Sequence, residues 1–176
     1  MAKTKWNVDV THSGIDFSVK HMMFATVKGA FHKFEAVVEA DPTDLTTADI
    51  SFDVDVASVD TRNEDRDNHL RSADFFDVEN HPKMTFKSTS VTKTDENEYD
   101  VTGELTINGI TNTETFAVTY EGQGKNPWGV DVVGFSGEGK IKRSDYGLTW
   151  NAALETGGVL VGDQIKISLQ IEANPA

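Results

Sequence analysis

Five histidines, at His12, His21, His32, His69 and His81, are the first residues to test for chemistry. Zinc sites that can be read from sequence show their ligands at short, recurrent spacings, and these histidines are scattered, with no His-Glu-x-x-His among them. Cysteine is absent, which removes thiolate ligands, thiol nucleophiles and disulfides together. The run from Asp60 to Asp67 carries enough acid to resemble a calcium loop. It lacks the central glycine and the closing glutamate of such a loop and holds Arg62 and Arg66 instead. Salt bridges along a solvated helix are the expected use of those charges. No Gly-x-Ser-x-Gly elbow is present, so the hydrolase arrangement is missing. The glycines of Gly134-Phe135-Ser136-Gly137-Glu138-Gly139 are spaced temptingly for a dinucleotide, but such a loop needs a helix after it. Here alternation of polar and apolar residues continues to Ile141, so close backbone approach at a barrel corner is the reading. Asp53 and Asp55 lie on the face opposite Phe52 and Val54 and point to water if that apolar face is buried.

Two polar positions remain. His21 continues the face of Ile15, Phe17 and Val19, so a period of two places its imidazole inside. It is either a core histidine with a hydrogen-bonded partner or a group at a cavity mouth that orients a ligand head. Arg143-Ser144-Asp145-Tyr146-Gly147 follows a strand. Its arginine either anchors the turn through Asp145 or stands at an opening.

The elements that must position these groups are almost all strands. Trp6, Val8 and Val10 open the first, and Ile15 to His21 form a second. Val27, Gly29 and Phe31 share a face, with Gly29 at a bend or bulge. Phe34, Ala36, Val38 and Ala40 lead to a turn at Asp41-Pro42, after which Leu45-Thr46-Thr47 reads as loop. Ile50, Phe52, Val54 and Val56 alternate with Ser51, Asp53 and Asp55. Further alternating runs follow at Met84–Ser88, Tyr99–Ile107, Phe116–Tyr120, Val130–Ile141 and Ile165–Ile171. Asn108-Gly109 marks a two-residue hairpin. One polar insert interrupts the series. Asn63 to Arg71 has no Gly or Pro, acid early and base late, which suits a helix capped by Thr61 or Asn63. Phe75 and Phe76 fasten it to the body. The reading is all-β, an eight-stranded antiparallel barrel with one short helical insert around residues 62–72, forming a single domain over 1–176.

Composition agrees. The 176 residues carry a net charge of −13, which argues against nucleic acid and against an anionic membrane surface. Hydrophobic residues are 38%, the modest share that half-buried strands produce. No run is long enough for a membrane span, and no apolar segment follows Lys3 and Lys5 as in a signal peptide. A soluble, cytoplasmic protein is expected, or an exported one if a leader was removed.

A series of motifs along the chain narrows the field. In order come Trp6-Asn7-Val8-Asp9 with His12-Ser13, Phe17-Ser18-Val19-Lys20-His21 and Val27-Lys28-Gly29-Ala30-Phe31. Ser58-Val59-Asp60-Thr61, Arg66-Asp67-Asn68-His69-Leu70, Ser72-Ala73-Asp74-Phe75-Phe76-Asp77 and Pro82-Lys83-Met84-Thr85-Phe86 follow. Leu105-Thr106-Ile107-Asn108-Gly109 and Arg143-Ser144-Asp145-Tyr146-Gly147-Leu148 complete it. In this order they resemble the bacterial YceI-like family of lipocalin-like, polyisoprenoid-binding proteins. The resemblance implies an eight-stranded barrel with a long apolar pocket, a long-chain isoprenoid or fatty amphiphile as partner, and often a homodimer. Many relatives are exported to the periplasm. The resemblance carries no catalytic residue and no cofactor, beyond a bound isoprenoid lipid or quinone.

The expected function is therefore a soluble, non-enzymatic carrier that holds such a chain inside the barrel. Phe17, Val19, Phe31, Phe34, Val38, Phe52, Val54, Met84, Phe86, Leu105 and Ile167 are the candidate wall, and His21 and Arg143 the candidate polar contacts. Two alternatives stand beside it: an enzyme acting on an amphiphile in the same pocket through His21 or the Arg143–Asp145 turn, and a stress-related protein whose barrel is filled by its own side chains.

Overall fold

The computed structural model describes residues 3–41, 44–151 and 160–175. It contains β1 (Thr4–Val8), β2 (Gly14–His21), β3 (Ala25–Phe31), β4 (Phe34–Asp41), β5 (Asp44–Asp55), β6 (Val59–Asp60), α1 (Glu64–Arg71), β7 (Lys83–Asp95), β8 (Glu98–Ile107), β9 (Ile110–Lys125), β10 (Asp131–Lys142) and β11 (Val161–Pro175). The 3₁₀ turns Val10–His12, Val56–Ser58 and Arg143–Tyr146 lie between them. No helix among the described residues is long and apolar enough to cross a membrane.

These strands form eight antiparallel staves of one closed barrel. β1 and β2 are one stave jointed at the Val10–His12 turn. β3 and β4 are the next, separated only by His32 and Lys33, and they face β2 and β1 in turn. β5 continues through the Val56–Ser58 turn into β6, which returns to β3. β7 to β11 then follow in sequence order. Closure falls to β11. Its first half pairs with β2, from Ile165 opposite Val19 to Gln170 opposite Gly14, and its end pairs with β1, Val8 opposite Ala173.

Alternation makes this possible. Phe34, Val54, Met84, Phe86, Val101, Leu105, Phe116 and Ile141 are all buried, and their strand neighbours are mostly exposed. The two-residue turn Asn108-Gly109 has φ of 55° and 74°, as that hairpin type requires. The antiparallel registers put the β2–β3, β8–β9 and β10–β11 connections and α1 at one end of the barrel. The β4–β5, β7–β8 and β9–β10 connections lie at the other.

The insert is built as expected at its start: Asn63 caps α1 by accepting from Arg66 N. Its arginines do not form the expected salt bridges along the helix. Arg66 donates to Thr61 Oγ1 and Thr61 O, and Arg71 donates to Ala57 O, Val59 O and Asn68. Carbonyls left over where β5 bends into β6 are nearer than any helix carboxylate, and guanidinium forks suit them. Asp67 is buried and accepts from both the backbone and the hydroxyl of Thr61. Phe76 meets Phe31 edge-on at 5.9 Å, and Phe75 lies 5.4 Å from Trp150, so this aromatic pair does fasten the insert to the barrel.

Two local expectations are corrected. Leu45-Thr46-Thr47 belongs to β5, not to a loop, because a register shift opposite Glu39–Asp41 lets the strand start at Asp44. Gly29 marks neither bend nor bulge. It sits in regular pairing opposite Phe17, and a side chain there would collide with the Phe17 ring and Thr61. The turn expected at Asp41-Pro42 lies partly outside the described residues.

Asp67→Ala would leave the Thr61 amide and hydroxyl buried without a partner, and a loss of about 2–4 kcal/mol is expected in urea unfolding. Asp67→Asn keeps the accepting oxygen and should lose less than half as much. Equal losses would show that the network does not anchor α1.

Candidate functional site: an apolar hollow at one end of the barrel

The two ends of the barrel interior differ. At the α1 end, Phe17 and Phe31 lie 5.4 Å apart, Phe31 meets Phe76, and Val59 and Tyr146 are essentially sealed from solvent. Toward the opposite end lies a hollow of about 160 Å³, partly open to solvent. Val38, Ala40, Leu45, Ala48 and Ile50 form one side, and Val91, Tyr99, Val101, Val118, Phe135 and Ile171 the other. Thr85, Tyr99 and Ser136 turn carbon rather than oxygen toward it, so the wall offers no polar atom.

Its inner limit is set by aromatic rings that need glycine opposite them. Phe86 and Phe116 pack edge to face at 5.4 Å. A side chain on Gly103 would strike the Phe86 ring, and one on Gly139 the Phe116 ring. Within the β10 run, then, Gly139 admits a ring and Gly137 faces Leu169 and Val118, so the close approach expected there is by side chains rather than backbone.

Of the candidate wall residues, Val38, Phe52, Val54, Met84, Phe86, Leu105 and Ile167 border the hollow. Phe17, Val19, Phe31 and Phe34 do not border it. Phe31 and Phe34 are buried in the filled part of the core, and Phe17 packs partly buried against it. His21 was expected inside, either hydrogen-bonded in the core or at a cavity mouth. It is half-buried at the far end of β2, opposite Ala25 and Val161, whereas the hollow opens at the other end. Arg143 takes neither expected role. It is buried, and its guanidinium donates to Gly162 O, Leu148 O, Trp150 O and Val161 O. It thus ties the chain after β10 to the start of β11, while Asp145 contributes its carbonyl to Asn112. Burial lowers the arginine's pKa from its ordinary value, and Asp163 opposes that shift. Ile15, Ile50, Val101, Phe116, Val118, Phe135, Leu169 and Ile171 were missed as wall residues. Most fall on the same alternating faces as those chosen, so their face was legible and their depth was not.

One polar cluster sits beside the filled end. Glu114 and Tyr146 approach each other, yet neither Glu114 Oε2 nor the tyrosine hydroxyl reaches hydrogen-bond geometry, and both atoms are shut off from solvent. Burial raises the Glu114 carboxyl above its usual range, with Asp145 adding to the effect and Tyr146 opposing it. Burial also raises the Tyr146 hydroxyl, so it stays a neutral phenol.

A closed eight-staved barrel with an apolar hollow and a helical insert between the third and fourth staves is a specific arrangement, and comparison assigns it. The family model for the YceI-like domain matches residues 6–173. The chain belongs to the YceI-like family. Among its relatives, a UPF0312 protein of Staphylococcus epidermidis is 48% identical over 170 residues, 96% of each chain. One of Staphylococcus aureus strain N315 is 44% identical over the same share. The crystal structure of Burkholderia cenocepacia BcnA aligns with this YceI-like chain at a TM-score of 0.83. Its identity is 30%, covering 94% of this chain and 99% of that one. A polyisoprenoid binding domain from Saccharophagus degradans, implicated in plant cell wall breakdown, shares the fold at a TM-score of 0.68 and 13% identity, covering 97% and 98%.

The raised Glu114 pKa fixes a sign. A carboxyl that titrates higher folded than unfolded is costly to keep ionised, so stability is lost as pH rises from the unfolded value through the folded one. Glu114→Gln should melt higher than the unaltered chain near pH 7, and that advantage should vanish near pH 4, where both are neutral. A pH-independent difference would assign the effect to packing.

Proposed function

We propose that this YceI-like protein is a non-enzymatic binder of a long apolar chain, held in the hollow with its polar head outside. The observation that carries this reading is the wall itself: a partly open interior space bordered by carbon on every side. Water gains nothing there, because a bound water needs two to four polar partners. An apolar chain loses its contact with water and meets no unpaired polar group.

Magnitudes decide what length of chain fits the reading. A cavity near 160 Å³ is on the scale of one that admits a single benzene ring. One five-carbon isoprene unit gains about 4 kcal/mol by transfer, at about 0.8 kcal/mol per carbon group. Association alone costs on the order of 4–15 kcal/mol. One unit is not enough. Useful affinity needs several units, running from Phe86 past Val101 and Tyr99 to the rim at Leu45 and Ala48. Phe135 and Tyr99 are the side chains that would swing to widen the path. Burial is non-directional, so isoprenoid and fatty chains of equal length should compete. The polyisoprenoid binding domain of Saccharophagus degradans supports a prenyl ligand only through shared fold.

Extraction of the purified protein with organic solvent, followed by mass spectrometry, should release a long-chain lipid, or the stripped protein should take up prenyl chains with affinity rising with length. Ala48→Trp, at the mouth, should abolish uptake while the fold persists by circular dichroism. Val37→Trp, on the exposed outer face of β4, should leave it unchanged. Equal uptake by both variants would refute the site. Native mass spectra of the same samples report the number of subunits.

A further inference from the structure

Barrel closure brings three donor atoms together from the two ends of the chain. Asp9 and His12 flank the joint between β1 and β2, and Glu172 lies near the end of β11. His12 Nδ1 stands 2.7 Å from Asp9 Oδ2 and 3.8 Å from Glu172 Oε2, and the three donor atoms all fall within 4.8 Å of one another. Backbone contacts fix the two segments: Asp9 N donates to Glu172 O at 2.8 Å, and Glu172 N donates to Ser13 Oγ at 3.0 Å. The donors line a partly open groove that is separate from the apolar hollow and is bordered by Asn126, Trp128, Val130 and Asn174.

We propose that Asp9, His12 and Glu172 bind one divalent first-row transition ion, with Zn²⁺ as the reference case. Donors at 2.0–2.2 Å from such an ion stand roughly 3–3.5 Å apart in tetrahedral or octahedral geometry. The His12–Glu172 separation exceeds that span slightly, the His12–Asp9 separation falls slightly short of it, and Asp9 and Glu172 lie within 4.8 Å, so side-chain rotations that draw the two carboxylates together complete the site. One imidazole nitrogen with two carboxylates suits zinc, manganese, cobalt or nickel rather than the all-oxygen shell of calcium or magnesium. Charge favours the ion as well. Two carboxylates converge here on a chain of net charge −13, and one imidazolium matches only one of them. The groove leaves room for water in the remaining positions.

The chain carries its own controls. His32 Nε2 lies 2.8 Å from Asp60 Oδ2, and His69 Nε2 lies 2.9 Å from Asp74 Oδ2. Among the described residues, only the Asp9 set gathers three donors. A bound ion would clamp the first stave to the last at the seam where the barrel closes, and would raise its melting temperature by mass action.

The test uses the full chain, stripped with chelator and titrated with Zn²⁺ by calorimetry and native mass spectrometry. One ion per chain is expected. His12→Ala and Glu172→Gln should each weaken binding about tenfold or more, and His32→Ala should not. Co²⁺ should quench tryptophan fluorescence in the unaltered chain, and Trp128→Phe should remove most of that quenching while zinc stoichiometry persists. Glu172→Gln is nearly isosteric, so it keeps the test valid if His12→Ala unfolds. Absence of a one-to-one complex at micromolar metal, or zinc binding indifferent to both variants, would overturn the assignment.

Discussion

Everything in this molecule depends on β11 having a partner along both edges. A sheet with one open edge exposes a row of unpaired amides and carbonyls and invites other chains to pair with it. Here β10 occupies one edge of β11, and β2 and β1 share the other. The joint at Val10–His12 lets one stave follow the taper of the barrel while keeping its register with the next. Once the ring is closed, the two faces become an inside and an outside. The outward residues can then be as acidic as the net charge of −13 requires, because the inward ones alone supply the core.

Closure alone would not make a hollow, since a barrel of eight staves is narrow enough for side chains to fill it. Which end fills is settled by the insert. α1 and the Phe75-Phe76 pair lie over the end where Phe31, Val59 and Tyr146 are packed, and the insert's arginines bond to the carbonyls where β5 bends toward β6. Arg143 performs a like service for the β10–β11 connection. All three cations serve backbone rather than ligand. Among the described residues the opposite end has no such plug, and there Leu45, Ala48, Val91 and Tyr99 line space rather than neighbouring rings.

The staves were legible because alternation is a local signal: Ile50, Phe52 and Val54 declare their face without reference to any other strand. The family was legible because its motifs run along the whole chain. Depth was not legible. Phe17, Val19, Phe31 and Phe34 carry the same pattern as Phe52, Phe86 and Leu105, yet the first four lie off the hollow and the last three border it. Position along the axis depends on strand tilt and on which end is covered, and neither is written in a period of two. Polar contacts between distant segments were hidden for a related reason. The partners of Arg143 are carbonyls, which have no sequence signature, and Asp9, His12 and Glu172 meet only across the closing seam.

The absence of polar atoms from the wall governs what discrimination this protein can exercise. A buried hydrogen-bonding group rejects a wrong ligand strongly, because it is left unpaired; an apolar wall rejects one only by the small cost of a missing or surplus methylene. Such a hollow separates chains by length and girth and is nearly blind to saturation or head chemistry. On the proposed reading, recognition of the head would come from the rim, which is built from the β4–β5, β7–β8 and β9–β10 connections and carries Asp44, Asp95, Glu96, Glu98 and Asp131. Lys3, Lys93 and Lys125 stand at the same end, and Lys3 and Lys125 pair with Asp49 and Asp131, so the rim presents charge of both signs. On the proposed reading the hollow would select for apolar length, and a rim of mixed charge would meet the head.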